Sequence, residues 1–198
     1  MSRENEWIDP AEAGLRLILT TSGEPADDPD LAGALVAAPL AAIIAPPVAL
    51  SAWRPLCQAA GCALLAANDV EAALASGVDG VHLARVEGVA DARRRLGERR
   101  LLGVSAGESR HWAMVAGEAG ADYVLLGPRA ASVDHAKLLD LVRWWSELFV
   151  LPCAVGPVSD ASVAELRGCG LDFLVAELST VVRLRELVTI IRADAGPR

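Results

Sequence analysis

The sequence predicts a single-domain α/β protein, eight β/α units closed into a parallel (β/α)8 barrel of the TIM type. Three observations predict it. A Gly-x-Asp turn opens a buried apolar run three times: Gly77-Val78-Asp79-Gly80-Val81, Gly120-Ala121-Asp122-Tyr123-Val124 and Gly170-Leu171-Asp172-Phe173-Leu174. The echoes stand 43 and 50 residues apart, which is room for two β/α units and too much for one. Short apolar runs alternate with helical patterns along the chain, the mark of a parallel sheet. Finally, 53% of the residues are hydrophobic, as strands buried on both faces require. At 198 residues the chain is short against the roughly 250 typical of the barrel, so its loops must be lean. A doubly wound open sheet is the alternative. It is weakened because no Gly-x-Gly-x-x-Gly follows the first strand.

Each element has a local reason. Residues 1–14 read as a polar lead-in and 15–198 as the barrel. Leu15 to Thr20 is the first apolar strand, followed by a loop rich in Gly, Pro and Asp. Leu31 to Ala38 is a helix and Leu40 to Ala45 the second strand. Pro46-Pro47 ends that strand, and a helix follows to about Ala60. Cys62 to Ala66 is the third strand, closed by Asn68-Asp69, with a short helix over Val70 to Ser76. Val78 to Leu83 is the fourth strand, and its helix ends near Leu96. Leu101 to Val104 is the fifth strand, ending in Ser105, with a helix from about Ser109 to Ala119. Asp122 to Leu126 is the sixth, ending in Gly127-Pro128, with a long helix over Asp134 to Phe149. Pro152 to Val155 is the seventh, ending in Gly156-Pro157, with a helix over Asp160 to Arg167. Asp172 to Ala176 is the eighth, and Val182 to Ala193 closes the chain, with Leu184, Leu187, Val188 and Ile191 on one face.

Composition narrows the function classes. The net charge is −8, against the basic surface that nucleic acid needs. Lys137 is the only lysine. The four cysteines, Cys57, Cys62, Cys153 and Cys169, form no C-x-x-C and have no histidine at metal spacing. They read as free thiols of a reducing, cytoplasmic compartment. The charged start, MSRENEWIDP, has no apolar core, so no signal peptide is expected. Leu31 to Trp53 carries no charge and is long enough to span a bilayer, but Pro39, Pro46 and Pro47 cut it into shorter pieces, so no membrane role is expected. Trp144 and Trp145 cannot both face the core from one helix. The outer one, exposed, predicts a homo-oligomer.

The segments GVDGVHLARVE, LLGVSAGES, GADYVLLGP, LPCAVGPV and GLDFLVAEL, in that order, resemble the thiamine-phosphate synthase family with its thiazole tautomerase branch. The resemblance runs from about Ala60 to Glu177, and the first two β/α units match poorly. It implies a (β/α)8 barrel that joins hydroxymethylpyrimidine pyrophosphate to thiazole phosphate and releases pyrophosphate. It further implies Mg²⁺ held by carboxylates, cations on the pyrophosphate and backbone N–H groups on the second phosphate. By position, Asn68 is a substrate-binding residue and Asp69 a metal ligand. Glu87 stands where the family has a second metal-binding carboxylate. Ser105 matches the strand-five serine, and Gly127-Pro128 the strand-six motif. Two of these carboxylates keep a second reading: Asp69 suits a helix N-cap equally well, and Glu87 a solvated loop position. Arg85 and Arg129 fall at the C-terminal ends of strands, where barrel active sites lie; they suit replacement cations or loop salt bridges. His82, mid-strand, reads as a hydrogen-bonded core histidine, and Asp134-His135 as a helix start or an acid–base pair.

The chain also departs from the family pattern. Strand two ends Ile43-Ile44-Ala45-Pro46-Pro47, where the family has a Gln-x-Arg-x-Lys grip on pyrophosphate. Ser132-Val133-Asp134-His135 replaces a threonine-rich, lysine-ended loop, leaving Ser132 as the substrate-binding candidate there. Gly156-Pro157 replaces a Gly-Gly pair and removes an N–H. Leu178, or Ser179 with a one-residue shift, stands for the serine after strand eight, and Gly107 for the tautomerase histidine. Two functions are therefore expected: a synthase with a degraded phosphate and pyrophosphate site, or a non-catalytic barrel of the family that binds a ligand or protein partner.

Overall fold

A computed structural model describes residues 14–127, 134–157 and 159–193. The lead-in up to residue 13, Arg129 and Ser132 lie outside the described residues. Eight parallel strands close into a barrel in sequence order. They are β1 (Arg16–Thr20), β2 (Leu40–Ala45), β3 (Ala63–Ala67), β4 (Gly80–Leu83), β5 (Leu101–Gly107), β6 (Tyr123–Leu126), β7 (Cys153–Val155) and β8 (Phe173–Glu177). The helices between them are α1 (Leu31–Ala37), α2 (Leu50–Ala60), α3 (Val70–Ser76), α4 (Val89–Leu96), α5 (Arg110–Glu118), α6 (His135–Leu148), α7 (Val163–Gly168) and α8 (Val181–Ala193).

Strand alternation sorts the core into two layers. Leu17, Leu19, Ile43 and Leu64 pack outward under the helices, with Trp53 and Trp145. Ile18, Ile44, Leu65, Tyr123, Ala154 and Val175 fill the barrel interior.

The repeated Gly-x-Asp motif performs two structural tasks. Its glycine takes the left-handed conformation that ends a helix, with φ of 65° at Gly77, 92° at Gly120 and 88° at Gly170. The next residue donates back five positions, Val78 to the Ala73 carbonyl, Ala121 to Ala116 and Leu171 to Leu166. Val78 therefore belongs to the cap, and β4 begins at Gly80 rather than at Val78. The aspartate then clamps the preceding strand. Asp79 donates its N–H to the Leu64 carbonyl and accepts the Leu64 N–H at 2.8 Å on its carboxylate. Asp122 does the same with Leu102 at 2.7 Å, and Asp172 with Cys153 at 2.8 Å. All three aspartates lie at the N-terminal end of the barrel. Arg93 reinforces the middle clamp: its guanidinium meets Asp122 at 2.5 Å and the carbonyls of Gly120, Gly97 and Arg100 at 2.8 Å.

The tryptophan pair corrects one expectation. Trp145 is buried and donates to the Leu151 carbonyl at 2.7 Å. Trp144 is half-buried rather than exposed, with the Arg110 guanidinium 4.8 Å from its ring centre and Phe149 against its edge. The bare apolar surface nearby belongs to Leu148 and Val150. Asp134 caps α6 by accepting from the Lys137 N–H, and His135 pairs with Glu165 at 3.0 Å. That geometry is a helix start and gives no Asp134–His135 acid–base pair.

Candidate functional site

Parallel strands direct their C-terminal ends to one mouth, and the candidate residues follow from where each strand stops. On the β4–β5 side, Arg85, Glu87, Ser105, Glu108, Ser109 and Trp112 line a cleft of about 290 Å³. Arg85 and Glu87 are exposed on the loop after β4, and Arg85 makes no ion pair among the described residues. Trp112, on the first turn of α5, leaves 44% of its surface open. Among the described residues the cleft thus holds one cation, two carboxylates, a hydroxyl pair and an aromatic face.

Ser105 is fixed from below. β5 runs to Gly107, further than the apolar run suggests, so Ser105 sits within the strand with its side chain toward the barrel axis. Its Oγ lies 2.9 Å from Nε2 of His82 on β4, and His82 Nδ1 lies 2.8 Å from the hydroxyl of Tyr123 on β6. Tyr123 reaches across β5 because position 103 is glycine: a Cβ there would sit 2.1 Å from the tyrosine ring. His82 is 7% exposed, and burial pushes its pKa down to about 4, so the ring is neutral at ordinary pH. Burial pushes the Tyr123 phenol up, so it keeps its proton.

The remaining candidates are placed as follows. Asn68, just past β3, adopts φ of 56°, accepts the Ala84 N–H at 2.6 Å and donates its own N–H to the His82 carbonyl. It ties the loops after β3 and β4 together. Asp69 caps α3, accepting the Ala72 N–H at 2.8 Å through Oδ1. It is not among the residues lining the cleft that Glu87 faces. No group of three or more His, Cys, Asp or Glu converges as a metal site among the described residues. Gly127 and Gly156 end β6 and β7 side by side. A Cβ on Gly127 would stand 3.6 Å from the Gly156 carbonyl oxygen, and one on Gly156 would collide with Val175. Ser179 is exposed in the turn before α8. The structure therefore gathers Arg85, Glu87 and Ser105 into one cleft, sets Asn68 and Asp69 as loop and helix supports beside it, and leaves Gly127, Gly156 and Ser179 on the other side of the mouth.

Sequence reasoning missed Tyr123, Glu108 and Trp112. Tyr123 stands inside a repeated motif, and inward alternation from Gly103 and Ser105 carried the only signal for it.

A family profile described as thiamine monophosphate synthase matches residues 48–180. The thiamine-phosphate synthase of Erythrobacter litoralis is 37% identical over 129 residues, 61% of each chain. That of Rhodospirillum centenum is 36% identical over 132 residues, 64% of each chain. The chain thus matches somewhat under two thirds of these relatives' own length. The synthase of Xanthomonas campestris is 34% identical over 148 residues, covering 72% of this chain and 71% of its own. Among solved structures, the thiamine phosphate pyrophosphorylase of Pyrococcus furiosus superposes with a TM-score of 0.72 at 20% identity, over 94% of this chain and 99% of that one. That likeness establishes the fold. From the matched stretch, which contains the cleft and its buried support, the chain belongs to the thiamine monophosphate synthase family.

Proposed function

We propose that the chain joins a hydroxymethylpyrimidine pyrophosphate to a thiazole phosphate at the mouth of the barrel. One observation carries the reading: Ser105, held from beneath by His82, opens into the cleft within the stretch that matches the family. In this reaction the bond between the pyrimidine methylene and the pyrophosphate oxygen breaks, and its electron pair leaves with pyrophosphate. The thiazole nitrogen then donates its lone pair to the methylene carbon. No proton need move at the reacting atoms, so the chain's work is to position and to stabilise charge.

In this reading Ser105 hydrogen-bonds a substrate acceptor, Arg85 pairs with the departing pyrophosphate, and Trp112 offers a face to a heteroaromatic ring. Arg129 and Ser132 would join from the loop after β6. Asn68 would serve by holding the loops after β3 and β4. Gly127, Gly156 and Ser179 would border the thiazole phosphate. Asp69 and Glu87 would hold Mg²⁺. Their hard carboxylate oxygens suit it, Asp69 keeps Oδ2 outside its helix cap, and Mg²⁺ is commonly held by one or two carboxylates plus substrate phosphates. The bound ion would neutralise charge on the pyrophosphate. Glu87 and Glu108 in the cleft make that neutralisation the more necessary. Among the described residues no helix is long and apolar enough to cross a membrane. We place the reaction in the cytoplasm, in a homo-oligomer that covers Leu148 and Val150.

A second reading is favoured by Pro46-Pro47 after β2 and by Pro157 after β7, which supply no cation and no N–H. There the barrel keeps a ligand pocket but no turnover. Growth of a thiamine-requiring strain that lacks its own synthase decides between them. Rescue by this chain supports the synthase, and failure with the protein folded and abundant supports the binding barrel.

A further inference from the structure

The Tyr123–His82–Ser105 chain has a direction. Tyr123 is buried, and among the described residues its hydroxyl has one hydrogen-bond partner, His82 Nδ1. A buried O–H that donates to nothing is strongly disfavoured. If the phenol donates, Nδ1 must be the bare acceptor, so the proton of the neutral ring sits on Nε2. Nε2–H then donates to Ser105 Oγ, and the serine proton has no place on the histidine side. The opposite order, with Ser105 donating to Nε2 and Nδ1–H donating to the phenol oxygen, would leave the phenol proton unpaired in the barrel interior. The low pKa that burial gives His82 removes a third arrangement, the doubly protonated ring, at neutral pH.

We infer that Tyr123 and His82 are positioning residues that fix Ser105 as a hydrogen-bond donor into the cleft, so that the ligand atom it meets is an acceptor, an anionic oxygen or a ring nitrogen with a free lone pair. Gly103 is part of this device, because any side chain there would bar Tyr123 from His82. The functional half of this inference rests on the synthase reading; the proton order does not.

The test is the tautomer of His82 in the full chain labelled with ¹⁵N-histidine. Two-bond proton–nitrogen correlation at neutral pH is expected to show His82 as the Nε2–H tautomer with a bare Nδ1. In Tyr123→Phe, which keeps the ring but not the hydroxyl, the two tautomers are expected to mix. An Nδ1–H tautomer in the unmodified protein would overturn the inference, and that spectrum alone decides even if the variant fails to fold. Steady-state kinetics supply the second arm: Tyr123→Phe is expected to lower kcat about tenfold with little change in KM. An active protein whose kcat is untouched by Tyr123→Phe would overturn the positioning role. A protein with the expected tautomer but no synthase turnover would instead refute the synthase reading and leave the proton order standing.

Discussion

The two ends of this barrel use the same kinds of side chain for opposite purposes. At the N-terminal end Asp79, Asp122 and Asp172 spend their carboxylates on strand amides, and Arg93 spends its guanidinium on one of them and on three carbonyls. At the mouth, Arg85 and Glu87 stand exposed, and among the described residues Ser105 is the one cleft side chain hydrogen-bonded to a buried side chain. Full pairing makes a scaffold, and incomplete pairing leaves groups available to a ligand. In a barrel of this family an aspartate is therefore not a candidate for chemistry by type; the end on which it sits decides.

The largest expected effect comes from the buried link that joins the two ends. His82 has a pKa of about 4 in the folded protein against about 6.5 unfolded. The unfolded chain therefore takes up the proton first. Stability from this group is complete above pH 6.5, falls as pH drops toward 4, and levels off below it, a loss of roughly 3 kcal/mol. Urea unfolding from pH 7 to 4 should show that slope, and His82→Gln should remove it. A slope unchanged in the variant would assign it to other groups.

Next is the contrast between clamps and caps. Asp122→Ala removes the bond to Leu102 N–H and the Arg93 pair together, and should lower stability by about 2–3 kcal/mol. Asp69→Ala at the mouth removes a single helix cap and should lower it by about 1 kcal/mol. Equal losses in denaturant unfolding would erase the distinction between the two ends.

The last effect, on binding rather than stability, concerns the phosphate side of the mouth. Pro157 has no N–H to offer an anion, and no lysine lies in the loop after β7. Thiazole phosphate should bind at least tenfold more weakly than to the Erythrobacter litoralis relative, about 1.4 kcal/mol, and Pro157→Gly should recover part of it. Calorimetric titration measures both. Equal weakness in the two forms would move the cause to the missing cations, and tight binding by the unmodified chain would refute the degraded site.

Much of the scaffold was legible because its signals are local. β2 at Leu40–Ala45 and α3 at Val70–Ser76 agree with their sequence bounds, one stopped by Pro46 and the other framed by an Asp cap and a glycine. The Gly-x-Asp repeat marked the strand starts, although its sequence alone did not disclose the carboxylate clamp. The mouth was less legible. Ser105, Arg85 and Glu87 could be named from position, but the link from Ser105 through His82 to Tyr123 spans three strands and depends on their register, in which Gly103 lies opposite both His82 and Tyr123. That the outer tryptophan, Trp144, is half-buried was not legible, because its cover, Arg110, comes from a different helix.

The most direct measurement is formation of thiamine phosphate from the two substrates with Mg²⁺, using the unmodified chain, Ser105→Ala and Asp79→Ala side by side. Turnover by the unmodified chain is expected, with a loss of about a hundredfold in kcat/KM for Ser105→Ala, which is roughly 2.7 kcal/mol of transition-state stabilisation, and near-normal turnover by Asp79→Ala at a temperature where it stays folded. Turnover that survives Ser105→Ala, or no turnover by the unmodified chain under conditions that suit its relatives, would contradict it.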